Sequence, residues 1–168
     1  MSVLSDRQIR SLAENNNFVS PYDPEMVNPA SIDVKVGHNV IVETPKRFHY
    51  TISIKGATPE TPFRLKPHEF CLTETLEEWE FPDNAAGTFF IKSSRAREGF
   101  DLAQGWIDPG FKGVITIELT NNRQNHPLPL YPGKRIGQIV LHPTESQVES
   151  SYNGKYQGDK AVQHSKDS

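Results

Sequence analysis

The sequence predicts an all-β protein, a sandwich or barrel of many short strands preceded by one short helix. Apolar and polar residues alternate in several short runs, most clearly over residues 114–119, and a period of two is typical of half-buried strands. Proline and glycine recur between the runs, as at Pro109-Gly110 and Pro132-Gly133, where they favour turns. Many short strands separated by regular turns are typical of β-sandwiches and barrels.

The helix is expected at residues 5–15. Ser5 is a candidate N-cap, and Ile9, Leu12 and Ala13 follow at helical spacing. A run of asparagines ends the pattern. Further strands are predicted within residues 32–42, 51–55, 63–65, 70–79, 89–91 and 136–141.

Length and charge limit the class of protein. The chain has 168 residues and a formal net charge of -3, which suits one domain and gives no global attraction to nucleic acid. Cys71 is the only cysteine, so no internal disulfide is possible and a reducing compartment is expected. The first ten residues lack a signal-like apolar run, and no apolar run is long enough to span a bilayer. We therefore expect a cytoplasmic protein with no membrane or nucleic-acid partner.

The chain divides into a predicted β-domain, residues 1–150, and a polar C-terminal segment, residues 151–168. Composition alone favours a disordered end. The alternative is an arm that becomes ordered over a ligand, with Lys155 on a phosphate group and Tyr152 or Tyr156 against a sugar or base.

A cluster of hydroxyl groups and cations follows one predicted strand. The segment 92–99 reads Lys-Ser-Ser-Arg-Ala-Arg-Glu-Gly, so Ser93, Ser94 and Arg97 could surround a triphosphate. The alternative is a short helix capped by Ser93 or Ser94 with a solvated charged face. Spacing alone favours that structural alternative.

Glu118 lies in the clearest predicted strand. Asp108-Pro109-Gly110 predicts a turn at the tip of a hairpin that leads into this strand. Within it, Ile117 and Leu119 share one face, whereas Thr116 and Glu118 share the other. Glu118 is a solvent-facing residue if that second face is bare, and a candidate general base if a ligand covers it.

Zinc chemistry is not expected. Zinc-dependent base deaminases need a Pro-Cys-x-x-Cys element and a His-x-Glu element, and neither occurs in this sequence. Deamination by this chain would therefore have to activate water with side chains alone.

Six segments, taken in order, resemble the motifs of the dCTP deaminase family within the trimeric dUTPase superfamily. The resemblance covers most of the chain. It is carried by residues 5–9, 28–34, 93–99, 105–118, 132–138 and 155–158.

The resemblance implies a distorted β-barrel of the dUTPase-like type, assembled as a homotrimer with active sites between subunits. Glu118 matches the glutamate that activates water at C4 of cytosine, and Asp108 matches the aspartate that holds the deoxyribose. Ser93, Ser94 and Arg97 match the phosphate-binding motif, with Arg97 also steering Glu118. Gln138 matches a residue near the phosphates, and Mg²⁺ would accompany the triphosphate of dCTP or dUTP.

The Gly105-Trp106 pair resembles family members that continue from dUTP to dUMP and pyrophosphate. Gln104 and Trp106 lie in the stretch expected to form the base-recognition loop. That stretch is about two residues shorter than in the family pattern, so the base is left open between cytosine and a modified cytosine. The alternative functions are a dUTP diphosphatase without deaminase activity and a non-catalytic nucleotide-binding protein of the same fold.

Overall fold

The architecture was analysed in a computed structural model that describes residues 2–166, apart from the side chains of Arg47 and Phe48. Met1, at the start of the predicted β-domain, lies outside the described residues. Asp167 and Ser168, at the end of the predicted arm, also lie outside them.

Strands dominate the described chain. Two helices, α1 (Asp6–Asn16) and α2 (Ser93–Glu98), and a 3₁₀ turn at Pro24–Met26 accompany twelve strands. The strands are β1 (Val19–Ser20), β2 (Val27–Asn28), β3 (Ser31–Thr44), β4 (Arg47–Ser53), β5 (Phe63–Leu65), β6 (Phe70–Glu80), β7 (Ala85–Ile91), β8 (Phe100–Leu102), β9 (Gly105–Ile107), β10 (Lys112–Asn121), β11 (Leu128–Leu130) and β12 (Arg135–Pro143).

One curled sheet organises the fold, and it confirms the predicted all-β barrel. Its main path runs β8-β10-β6-β3-β12-β7-β9, and all the pairings are antiparallel. The 14-residue strand β3 joins the two halves, because it pairs with both β6 and β12. Register shifts interrupt both pairings, and such irregularities bend a strand and increase its twist.

Helix α1 begins as the sequence predicts and closes one side of the core. The backbone N–H of Ser5 donates to Oε1 of Gln8 at 3.0 Å, which completes part of a capping box. Ile9 is fully buried. It belongs to the same core as Phe18, Trp79 and Phe81, and the ring of Phe18 packs edge-on against both of the other rings.

Two local predictions are wrong. Strand β9 pairs with β7 rather than with β10, so the turn at Asp108-Pro109-Gly110 carries the chain between two parts of the sheet instead of closing a hairpin. The N-cap of α2 is Lys92, not Ser93 or Ser94, so both serines lie in the first turn of the helix. At the turn, the long-range strand pairing, which local turn signals do not report, determines the outcome.

The polar C-terminal segment packs on the sheet rather than extending from it. Val114 N–H donates to the carbonyl of Asp159 at 2.9 Å, and Gly158 N–H donates to the carbonyl of Lys112 at 2.8 Å. Val162 is buried. Within residues 2–166, no helix combines the length and apolar character that crossing a bilayer requires.

Candidate active site

A cavity of about 580 Å³ lies between β10, β9 and the C-terminal segment. We call it the main cavity. Its lining is largely aromatic and aliphatic, with a few polar groups that converge on it, a composition typical of small-molecule sites. The apolar part of the lining includes Phe70, Leu72, Trp106, Phe111, Tyr152 and Tyr156.

Glu118 enters the main cavity from the middle of β10, where it lies opposite Leu72 of β6. Its neighbours Ile117 and Leu119 are fully buried on the other face of the strand, as the alternation in the sequence predicts. Glu118 is half-buried, and loss of hydration raises the pKa of its carboxyl. A carboxyl group whose proton affinity is raised in this way is a candidate general base.

The start of β10 is irregular, and this widens the face presented to the cavity. The register with β6 shifts between Val114 and Thr116, and Ile115 N–H donates to Oγ1 of Thr75 at 3.0 Å instead of continuing the ladder. As a result, Val114, Ile115 and Thr116 all line the cavity.

Asp108 and Trp106 lie together at the mouth of the main cavity. The indole Nε1–H of Trp106 donates to Oδ1 of Asp108 at 3.1 Å, and the ring stacks on His142 with the centroids 5.7 Å apart. Trp106 is nonetheless 61% exposed. Phe70, which lines the same cavity, is 52% exposed, and grouped exposed apolar residues are typical of a binding site.

The C-terminal segment forms the opposite wall. Tyr152 N–H donates to the carbonyl of Pro109 at 2.9 Å, and the Tyr152 ring packs against Phe111. Gln157 accepts from Lys112 N–H and donates to the Gly110 carbonyl, at 2.8 and 2.9 Å.

Gly113 permits this close approach. Its φ is +133°, and a Cβ at this position would lie 2.6 Å from the Asp159 carbonyl oxygen. Any larger residue would therefore meet both backbone strain and a collision.

The predicted phosphate-binding residues lie elsewhere on the chain. Ser93, Ser94 and Arg97 are exposed on α2, and none of them is among the residues that line the main cavity. Arg97 takes part in none of the ion pairs found within the described residues. Its guanidinium therefore remains available for an anionic ligand.

A buried carboxylate organises the sheet next to α2. Asp33 is 2% exposed, pairs with Lys92 and Arg135, and accepts from Nδ2 of Asn28 at 2.8 Å. We call Lys92, Ser93, Ser94, Arg97 and Arg135 the basic edge, because cations and hydroxyl groups concentrate there with Asp33 beneath them. The buried Asp33 carboxylate holds its two cationic partners, Lys92 and Arg135, in place.

Gln138 lies beside the basic edge on β12. Its Oε1 accepts from the hydroxyl of Ser31 at 3.1 Å, and it is opposite Asp33 in the β12–β3 ladder.

The structure therefore brings together only part of the predicted set. Glu118, Asp108, Trp106, Tyr152 and Tyr156 line one cavity, and Lys155 lies with its ammonium group over the Tyr156 ring. The predicted residues outside that lining are Ser93, Ser94, Arg97, Gln104, Gln138 and Lys155.

Sequence reasoning missed several residues that matter to the geometry. The role of Asp33 could have been suspected from its place in the motif at residues 28–34. By contrast, no local signal marked Gln163 and the two histidines His49 and His164, whose rings stack 4.6 Å apart. All three line the main cavity.

Cys71 is not disposed to bind metal. It is fully buried on β6, and burial raises the pKa of its thiol to about 12, whereas metal ligation needs the thiolate. In the described part of the chain, no group of three or more histidine, cysteine, aspartate or glutamate residues is arranged to hold a metal ion.

The curled antiparallel sheet, with one N-terminal helix and a glutamate in a strand-lined cavity, defines an all-β, barrel-like fold. The crystal structure of 2′-deoxycytidine 5′-triphosphate deaminase from Agrobacterium tumefaciens superposes with a TM-score of 0.70. The sequences are 17% identical, and the match covers 84% of this chain and 47% of that one.

The sequence comparisons define the family more narrowly. The dCTP deaminase-like family model matches residues 3–144. A protein of Corynebacterium kroppenstedtii named "dCTP deaminase, dUMP-forming" is 38% identical, over 98% of this chain and 96% of its own length. A protein of Methanoregula boonei with the same name is 37% identical, over 91% of this chain and 88% of its own length. The chain belongs to the dCTP deaminase-like family.

Proposed function

We propose that this protein deaminates dCTP hydrolytically and continues to dUMP and pyrophosphate. The observation that carries the proposal is the half-buried Glu118 with a raised pKa, which faces a nucleotide-sized cavity in a chain of the dCTP deaminase-like family. The relatives named as dUMP-forming support the second step.

In the first step, Glu118 acts as general base and then as general acid. It takes a proton from a water molecule as the oxygen attacks C4 of cytosine. It delivers this proton to N3 as the tetrahedral intermediate forms. It then takes the remaining hydroxyl proton of the intermediate and gives it to the exocyclic nitrogen, which leaves as ammonia when the C4–N bond breaks and the C4 carbonyl forms. The balance is dCTP plus water giving dUTP plus ammonia. The apolar surroundings of Glu118, including Leu72, keep other water molecules away from the reacting atoms.

No zinc is needed in this scheme. The only cysteine is a buried thiol whose pKa is raised to about 12, so a thiolate-based zinc site of the base-deaminase kind has no basis in this sequence. Water activation is therefore assigned to Glu118 alone.

The triphosphate is assigned to the basic edge of a neighbouring copy. Ser93, Ser94 and Arg97 are exposed on a different part of the chain from the main cavity, so we assign them to the base site of a neighbouring chain rather than to that of their own. A closed homotrimer provides this arrangement three times by symmetry. Gln138 would lie near the same phosphates.

Mg²⁺ would enter with the nucleotide, bound by phosphate oxygens. It is a hard cation that keeps several water ligands and needs few from the protein, which suits a chain whose described residues form no dedicated metal cluster. When bound, it would neutralise charge on the triphosphate.

Asp108, Trp106 and the C-terminal arm are assigned to the sugar and to the second reaction. The Asp108 carboxylate would hold the deoxyribose 3′-hydroxyl and orient the water that attacks the phosphate chain, so that dUTP plus water gives dUMP plus pyrophosphate. Tyr152 and Tyr156 would pack on the nucleoside, with Lys155 on a phosphate group. The docked position of this segment over the cavity supports the assignment. Gln104, which connects β8 and β9 at the surface, would contact the nucleotide only from the edge of the site.

The direct test is incubation of the protein with dCTP, dUTP and dCMP in the presence of Mg²⁺, with the products resolved by chromatography. The proposal expects ammonia and dUMP from dCTP, and dUMP from dUTP, with dCMP unchanged. Turnover of dUTP without ammonia release from dCTP would identify a diphosphatase, and binding without turnover would identify a non-catalytic nucleotide-binding protein.

A further inference from the structure

Gln163, near the end of the C-terminal segment, lines the same cavity as Glu118. Gln163 N–H donates to Oγ1 of Thr116 at 3.1 Å, and Thr116 lies two residues before Glu118 on the cavity-facing side of β10. Positions two residues apart in a strand are separated by about 7 Å. Gln163 is therefore held within one side-chain length of the proposed general base.

A second hydrogen bond, to a side chain of β6, anchors the same segment. Val162 N–H donates to Oε2 of Glu74 at 2.6 Å, while Oε1 of Glu74 accepts from His38 N–H and from Nδ2 of Asn39. Glu74 is 5% exposed and Val162 is 7% exposed. Hydrogen bonds to a buried carboxylate are among the stronger ones in proteins, so the residue before Gln163 is firmly held.

Gln163 offers the hydrogen-bonding groups that a pyrimidine needs. A primary amide carries two donor hydrogens and one acceptor oxygen. In Gln163, Nε2 donates to the carbonyl of Ala161 at 3.2 Å, and the amide oxygen is not engaged by that bond. By contrast, the connection between β8 and β9 consists of Ala103 and Gln104 only, and neither residue lines the main cavity.

We infer that Gln163 is a specificity-determining residue that hydrogen-bonds the N3/O2 edge of the pyrimidine base, an inference that rests on the proposed function. In cytosine, N3 is an acceptor and takes a hydrogen from the amide nitrogen. In uracil, N3 carries a hydrogen, and the amide oxygen accepts a hydrogen bond from it after the amide group rotates by half a turn. O2 is an acceptor in both bases. One rotatable side chain thus holds both the substrate and the product of deamination, and it leaves C4 free for water and Glu118.

Two substitutions separate hydrogen bonding from shape. Gln163→Leu keeps the approximate size and removes every hydrogen bond to the base. We expect its KM for dCTP and for dUTP each to rise about tenfold, the effect of losing one such bond. Gln163→Glu keeps the shape but only accepts hydrogens, so it can meet N3–H of uracil and not N3 of cytosine. We expect the ratio of kcat/KM for dUTP to that for dCTP to rise at least about tenfold.

The matched control is Gln124→Leu, at an exposed position outside the cavity lining, which should leave both nucleotides unaffected. Amide hydrogen exchange of residues 160–166 should show that the segment stays docked in both Gln163 variants. Equal losses for dCTP and dUTP in Gln163→Glu, or values within twofold of the unmodified protein in both variants, would overturn the inference. If the unmodified protein turns over neither nucleotide, the proposed function fails instead. In that case, the affinities for dCTP and dUTP are measured by calorimetry and compared between the unmodified protein and the two Gln163 variants.

Discussion

The main cavity and the basic edge differ in what surrounds their functional groups. In the cavity, Glu118 lies among apolar walls and has a raised pKa. At the basic edge, Ser93 and Arg97 are exposed, above a buried Asp33 that holds Lys92 and Arg135 in ion pairs. Proton transfer benefits from a partly dry site, whereas triphosphate binding needs cations that remain free to pair. One chain supplies both environments at separate places, and the proposed trimer unites them.

The largest expected effect comes from the centre of the cavity. Glu118→Gln is nearly isosteric but cannot take a proton from water, so ammonia release from dCTP should fall by about 10²–10⁴-fold. The affinity for dCTP, measured by calorimetry, should change little because the basic edge is intact. Near-normal ammonia release by Glu118→Gln would show that Glu118 is only a half-buried strand residue.

Removing the wall opposite Glu118 should have the next largest effect. Truncation after Ser150 takes away Tyr152, Lys155 and Tyr156 and admits water, so kcat should fall by about tenfold or more. Gly113→Ala tests the same wall without deletion, because a Cβ there collides with the Asp159 carbonyl oxygen. Asn153→Ala, at an exposed position of the same segment, is the control. Unchanged turnover after truncation would make the segment a passive tail.

Mixing subunits tests whether the cavity and the basic edge belong to different chains. Glu118→Gln and Arg97→Ala should each be nearly inactive alone. If each site takes Glu118 from one chain and Arg97 from its neighbour, about a quarter of the sites in an equal, randomised mixture retain both. Ammonia release should then recover to about a quarter of that of the unmodified protein.

The matched control mixes two changes in the same cavity. Glu118→Gln and Asp108→Ala affect residues that line one cavity of one chain, so no mixed site regains both, and ammonia release at low dCTP should not recover. Recovery in the second mixture, or none in the first, would contradict the division of the site between copies. A monomer in light scattering at micromolar concentration would contradict it as well.

The sequence predicted the strands far better than their partners. Alternation over residues 114–119 correctly separated Ile117 and Leu119 from Glu118, because a side chain's face follows from its parity alone. The hairpin expected at Asp108-Pro109-Gly110 was wrong, because turn residues report the local bend and not which strand pairs next.

The candidate site was predictable where it coincides with motifs and not elsewhere. Glu118, Asp108 and Trp106 converge on one cavity as members of a motif. Gln163 reaches that cavity only because Glu74, which lies 88 residues before the neighbouring Val162, and Thr116 hold the segment. A contact between residues so far apart in the chain leaves no periodic pattern in the sequence. Composition was the available signal for residues 151–168, and it favoured disorder. The described part of this segment is instead docked on the sheet.

A second glutamate with a raised pKa sharpens the contrast, because its surroundings differ from those of Glu118. Glu77 is 3% exposed, does not line the main cavity, and accepts from Lys35 N–H at 3.0 Å. Burial raises the pKa of its carboxyl to about 7. The folded state then binds this proton more tightly than the unfolded chain, whose carboxyl titrates near 4.5. The stabilisation from this proton is therefore complete below about pH 4.5 and is lost as the pH rises through about 7.

The loss across that window is on the order of 3 kcal/mol, and Glu77→Gln should abolish it. The amide remains neutral and keeps an oxygen for Lys35 N–H, so its unfolding free energy should be nearly flat from about pH 5 to 8 and should exceed that of the unmodified protein at the alkaline end. Urea unfolding at several pH values measures this. Glu118→Gln should retain most of the slope and lose turnover, whereas Glu77→Gln should lose the slope and keep the pH profile of kcat. An unchanged slope in Glu77→Gln would mean that water solvates the Glu77 carboxylate or that a cation pairs with it. Burial would then raise the pKa of Glu118 and not that of Glu77.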